Sequence, residues 1–119
     1  MNYDLEDRLV DFAVMILNLA ENLPDTRTCN HLAGQITRSC TCPALTYGEA
    51  QSAESRRDFI HKMTLALKEL RETRINIKII AKKKCLKDQI MITNSMKEND
   101  ELVAIFAKSI STASKNPKS

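Results

Sequence analysis

The chain has 119 residues, a formal net charge of +3, 28% charged and 43% hydrophobic side chains, and only two glycines and three prolines. That is one domain's length with enough apolar material for a core of its own. It has too few turn-forming residues for an all-β fold and too much apolar content for disorder. With 4% aromatics and no tryptophan it lacks the stacking platform that grips single-stranded nucleic acid.

The start, Met1 to Asp7, is acidic, where a secretory signal would be basic and then apolar. No run nears the ~18 apolar residues of a membrane span. The reading is a cytoplasmic protein with no membrane partner and with Cys29, Cys40, Cys42 and Cys85 as reduced thiols.

A first helix is predicted from about Asp4 to Asn22, stopped by Pro24. Leu5, Leu9, Phe12, Ile16 and Leu23 form one apolar stripe at helical spacing. Val10, Val14 and Leu17 form a second stripe on another side of the wheel. A helix with two apolar faces buries both, so this second stripe is the candidate oligomer interface. A second helix is predicted from Asp25 or Thr26, either of which can cap it, to about Thr41. Pro43 should end or kink it, leaving Pro43 to Gly48 as the connection in the middle of the chain.

The third helix is the longest, from about Ser52 to Lys82, with an apolar stripe of Phe59, Met63, Ala66, Leu70 and Ile77. The fourth runs from about Asp88 to Ala113, with Leu102, Ile105, Phe106 and Ile110 apolar and the polar stretch Asn94 to Asp100 a possible break. Residues 1–113 form the domain and 114–119 a frayed, disordered tail. Four helices on short connections make an all-α, up-down-up-down four-helix bundle with a long third helix.

Charge is sorted along the chain. Residues 1–25 carry one basic and six acidic groups, a net −5, whereas residues 56–87 carry eleven basic and three acidic, a net +8. On the third helix Lys68, Arg71, Arg74, Lys78 and Lys82 fall within about a 120° arc, at ~100° per residue. Lys83, Lys84 and Lys87 crowd its end. The row is either a solvated face, with lysines complementing the helix C-terminus, or a footprint for phosphates. A third possibility is neutralisation by a neighbour's acidic first helix.

Cys29, His31, Cys40 and Cys42 are potential zinc ligands, but residues two apart on a helix point to nearly opposite sides. They read as ordinary thiols, with no metal expected. Asp58 and His61 have the carboxylate-x-x-His spacing of a dimetal bundle, which needs a second such pair, and there is none. Met15, Met63, Met91 and Met96 read as core or interface filler. No nucleophile elbow, phosphate loop or dinucleotide fingerprint is present, so neither an enzyme nor a cofactor is expected.

In the second helix, Leu32-x-x-Gln35-Ile36-x-Arg38-Ser39 followed by Pro43, and in the third, Arg57-Asp58-Phe59-Ile60 with Ala66-Leu67, Leu70 and Glu72, form an ordered set. This set resembles the small four-helix-bundle proteins first noticed as reading frames inside intervening sequences of bacterial 23S ribosomal RNA genes. The resemblance spans about Asp4 to Ala113. The chain departs from that family after the proline, where Leu45-Thr46-Tyr47-Gly48-Glu49 stands in place of Asn-x-Ala-Glu-Gly. The resemblance implies a ring-like homopentamer without established enzymatic activity, and it singles out Gln35, Arg38 and Pro43. A relative, the accessory protein of diversity-generating retroelements, is a basic pentameric barrel that binds nucleic acid and a reverse transcriptase.

The expectation is a non-enzymatic homo-oligomer that binds nucleic acid, structured RNA favoured. It would do so through phosphate contacts of Lys68, Arg71, Arg74, Lys78, Lys82, Lys83 and Lys84, with Arg38 beside them. The alternative is a scaffold for a protein partner with no nucleic-acid role.

Overall fold

A computed structural model describes residues 4–115, which form four helices: α1 (Leu5–Glu21), α2 (Arg27–Gln51), α3 (Arg56–Lys83) and α4 (Gln89–Lys115). Each helix starts on a side chain. Asp4, Thr26, Ser55 and Asp88 accept the backbone N–H of Glu6, Cys29, Asp58 and Met91 at 3.1, 3.1, 3.0 and 3.0 Å. Each bond satisfies a donor that the first turn leaves without a partner in the helix.

The helices pack in a closed square: α1 on α2, α2 on α3, α3 on α4, and a smaller seam from α4 back to α1. Cross-links between neighbours fix their directions. Lys62 near the start of α3 meets Glu49 near the end of α2 at 2.7 Å, and the Thr73 hydroxyl donates to Ser39 Oγ at 2.9 Å. Arg8 on α1 holds Glu98 of α4 through two bonds of 2.7 and 2.8 Å and reaches Glu101 at 2.8 Å. The result is up-down-up-down, with a longest dimension of 51 Å.

The apolar stripes converge as their periodicity requires. Leu9, Phe12 and Ile16 of α1, Met63, Leu70 and Ile77 of α3, and Leu102 and Phe106 of α4 are buried around Ile36 of α2. Each such side chain contributes about 1.5–3 kcal/mol of transfer energy. Tyr47 meets Phe106 edge-on across the bundle, with ring centroids 6.0 Å apart, a preferred aromatic geometry.

The structure corrects three expected boundaries. α2 does not stop at Thr41; it runs through Pro43 to Gln51, so the expected connection at 43–48 is helix and the real one is Ser52–Ser55. Proline in a helix interior removes one i→i−4 hydrogen bond and costs about 3 kcal/mol. Here Pro43 itself, Tyr47 and Ala50 are buried, and that burial outweighs the local penalty. The turn before the proline is also bound by side chains. Cys40 Sγ lies 3.4 Å from the Thr37 carbonyl, and Thr41 Oγ1 is 3.2 Å from those of Thr37 and Arg38.

α3 starts at Arg56 rather than Ser52, because Ser55 is its cap. α4 is unbroken from 94 to 100 because Ser95 and Asn99, one turn apart, turn into the core. Of the expected tail, residues 114 and 115 continue α4, and 116–119 lie outside the described residues.

Asn99 is 0% exposed, and neither its amide nitrogen nor its oxygen has a hydrogen-bond partner, nor has Ser95 Oγ. Replacing an unpaired buried polar group with an apolar one of similar shape recovers its desolvation cost. Asn99→Leu is expected to stabilise the fold by about 1–3 kcal/mol in urea unfolding. Phe106→Ala, which removes the ring that Tyr47 packs on, is expected to cost about 3–5 kcal/mol by the same measurement.

Candidate nucleic-acid interface

α3 gives its inner arc to two neighbours, α2 and α4. Met63, Ala66, Leu70, Ile77 and Ile80 fill that arc, so the cations three and four positions away lie outside. Lys68, Arg71, Lys78 and Lys82 are exposed along one side, and Lys83 and Lys84 are exposed at its end. From Lys68 to Lys82 the row spans about 21 Å at ~1.5 Å per residue. None of these six is in an ion pair among the described residues.

Two predicted members stand apart. Arg74 lies at the α3–α4 seam, its Nε 2.6 Å from Asp100 Oδ1. An exposed pair of this kind contributes at most about 1 kcal/mol, but it turns the Arg74 charge towards α4. Arg38 is exposed on α2, close enough to Glu69 of α3 to act on its ionisation. Gln35 is exposed on α2, and Pro43 is buried. The row is not purely cationic, because Leu65, Ile75 (56% exposed) and Ile79 (45%) share it. Ile75, Lys78, Ile79, Lys82 and Lys83 line a shallow groove of about 460 Å³.

The opposite side of the bundle carries α1. Val10 (46% exposed) and Val14 (50%) are uncovered, and Leu17 is half-buried. Beside them Val14, Leu17, Ala33, Gly34 and Thr37 line a groove of about 550 Å³ between α1 and α2. Asp7, Asp11 and Glu21 are exposed on the same helix. Thus one outer helix is apolar and acidic and the other apolar and basic.

The potential zinc ligands are dispersed. Cys40 is buried against α1, its Sγ 3.8 Å from the Ala13 carbonyl, while His31 is exposed. Burial pushes the Cys40 thiol up to about 12 and raises that of Cys42 as well. Cys29 meets Cys85 instead, a pairing that no spacing in the sequence signals. The neighbouring Cys85 thiol, the Thr26 hydroxyl and the Lys83 charge lower the Cys29 pKa. Among the described residues the metal-type grouping that occurs is Asp4, Glu6 and Asp7. These exposed carboxylates sit at the start of α1, where they complement the helix dipole.

Glu69 is the strained ionisable group near the row. Burial and the neighbouring Glu72 raise its pKa against the lowering pull of Arg38 and Lys68, and its Oε2 is buried without a hydrogen bond. A carboxyl whose folded pKa is raised binds its proton more tightly in the folded state, so stability is lost as pH rises through the carboxylate range. Glu69→Gln is therefore expected to raise the melting temperature at pH 7. The gain should shrink towards zero near pH 4 in a melting series across that range.

The fold superposes on the crystal structure of a protein of unknown function from the S23 ribosomal protein family of Bacteroides thetaiotaomicron VPI-5482. The TM-score is 0.82 and the identity 28%, covering 90% of this chain and 98% of that one. No curated protein matches the chain. Residues 2–108 match the family described as 23S rRNA-intervening sequence protein. A match over nearly the whole length, on a bundle shared with a solved S23-family structure, establishes that the chain belongs to the 23S rRNA-intervening sequence protein family.

Proposed function

We propose that the protein is a non-enzymatic homo-oligomer that binds structured nucleic acid, RNA in preference, through phosphate contacts along the outer side of α3. The observation that carries this reading is the row Lys68, Arg71, Lys78 and Lys82, continued by Lys83 and Lys84. All six are exposed, and none is ion-paired among the described residues. Like charges three and four apart on a helix repel by a few tenths of a kcal/mol each, so the row is a cost that packing leaves uncompensated. A polyanion relieves it by releasing its own counterions.

The binding mode follows from what the row lacks. It has no aromatic side chain on which a base could stack. Duplex RNA is recognised largely by its shape and its phosphates, which is within reach of a row of lysines and arginines. Oligomerisation rests on Val10 and Val14, two exposed apolar side chains on the far side of the bundle. Contact through α1 would leave the α3 rows of several copies free to share one ligand.

A second reading is favoured by Leu65, Ile75 and Ile79, since phosphates make no use of exposed aliphatic side chains. In it the apolar, acidic face of α1 on one copy covers the apolar, basic face of α3 on the next, and the assembly serves as a protein scaffold. Contacts between unlike patches build rings when the rotation closes.

The test is a titration into a fluorescent structured RNA and a DNA duplex of equal length at several salt concentrations, with light scattering on the same samples. Wild-type protein should bind with a logarithm that falls linearly in log salt, by about 0.9 per phosphate contact on duplex DNA. Arg71→Glu, Lys78→Glu and Lys82→Glu together should abolish binding at unchanged helical content and oligomer size. Arg74→Glu alone should do much less, because Asp100 already holds that charge. Unchanged affinity in the triple variant overturns the nucleic-acid reading. A triple variant that loses its oligomeric state, from a wild type that never bound RNA, establishes the scaffold.

A further inference from the structure

We infer that Cys29 and Cys85 are a redox-active thiol pair. They close to a disulfide under a peroxide oxidant and staple the start of α2 to the turn that ends α3. The inference does not rest on the nucleic-acid reading.

Both thiols are held in place by backbone bonds. Cys29 stands in the first turn of α2, and its N–H is bonded to the capping Thr26 Oγ1 at 3.1 Å. Cys85 follows the end of α3. There Lys84 adopts a left-handed conformation with φ of 62°, the one positive φ outside glycine among the described residues. The Lys84 N–H returns to the Ala81 carbonyl at 3.2 Å and the Cys85 N–H to the Ile80 carbonyl at 3.1 Å. That pair of bonds is the Schellman motif, which folds the residue after the left-handed one back onto the last turn. It turns Cys85 inward, near enough to Cys29 for the two thiols to act on each other's ionisation. Both cysteines are buried in the one apolar core, and they come from two separate elements that meet at the same end of the bundle, the start of α2 and the end of α3.

The surroundings suit the chemistry. The thiolate is the nucleophile, and a helix N-terminus and a neighbouring lysine favour it. Cys29 has the α2 N-terminus, the neighbouring Cys85 thiol and the Lys83 charge. Its thiolate attacks one peroxide oxygen; the O–O bond breaks, and hydroxide leaves and takes up a proton as water. Cys29 is then a sulfenic acid. The Cys85 sulfur attacks the Cys29 sulfur, the S–O bond breaks, and a second water leaves with the Cys85 proton. Two thiols and one hydrogen peroxide give one disulfide and two waters. Burial raises the thiols of Cys40, Cys42 and Cys85, so Cys29 is the one cysteine of the four whose thiolate is favoured, and Cys85 is the thiol that resolves it.

Fully reduced protein is treated with one equivalent of hydrogen peroxide and quenched with an alkylating reagent. It is then read by intact mass and by peptide mapping without reductant. The expected result is a loss of about 2 Da before alkylation, as two thiol hydrogens go. A cross-linked peptide should carry Cys29 and Cys85, with Cys40 and Cys42 alkylated after denaturation. The melting temperature should rise on oxidation and return on adding dithiothreitol. Cys85→Ser, checked for unchanged helical content, should keep four helices, lose the cross-link and leave Cys29 as a trapped sulfenic acid. The inference is overturned if the disulfide maps to another pair or joins two chains. It is equally overturned if all four cysteines are alkylated at wild-type mass, or if oxidation leaves the melting temperature unchanged.

Discussion

The outer surface follows from one packing constraint: α3 gives its apolar stripe to two neighbours at once. With α2 on one side and α4 on the other, the inner arc from Met63 to Ile80 is fully occupied by side chains that repeat every three or four residues. The remaining arc takes the nine basic groups that α3 carries between Arg56 and Lys83. Where a carboxylate lies across a seam the charge is taken up, as with Lys62 on Glu49 and Arg74 on Asp100. Where α3 faces outward no neighbouring helix stands opposite, and the cations accumulate without partners. The basic row is thus produced by the same packing that buries the inner arc of α3.

Much of this was legible in the sequence, for a physical reason. Three helices of the four show apolar residues at strict helical spacing, and Thr26 is a residue type that caps well. The misread places are those where local preference yields to burial. Pro43 disfavours a helix on its own, but α2 is held from both sides by α1 and α3 and the turn around the proline is buried. The stretch Asn94 to Asp100 reads as a break because Ser95 and Asn99 are polar, yet both lie in the core without hydrogen-bond partners, which no sequence rule would propose.

The site divides in the same way. Helical angles alone placed Lys68, Arg71, Lys78 and Lys82 on one outer side, because those angles are a property of α3 by itself. Arg74 shares the arc but belongs to the seam, and only the position of Asp100 on another helix shows it. The nearness of Cys85 to Cys29 was illegible because it depends on Lys84 accepting a left-handed conformation that glycine usually supplies. Lysine gives no sign of that turn.

Lys83 belongs both to the basic row and to the surroundings of Cys29. It extends the basic row, and its charge also lowers the pKa of Cys29. Electrostatic coupling between two sites is reciprocal. A phosphate backbone on the row would screen Lys83, make the Cys29 thiolate less favourable and slow its attack on peroxide.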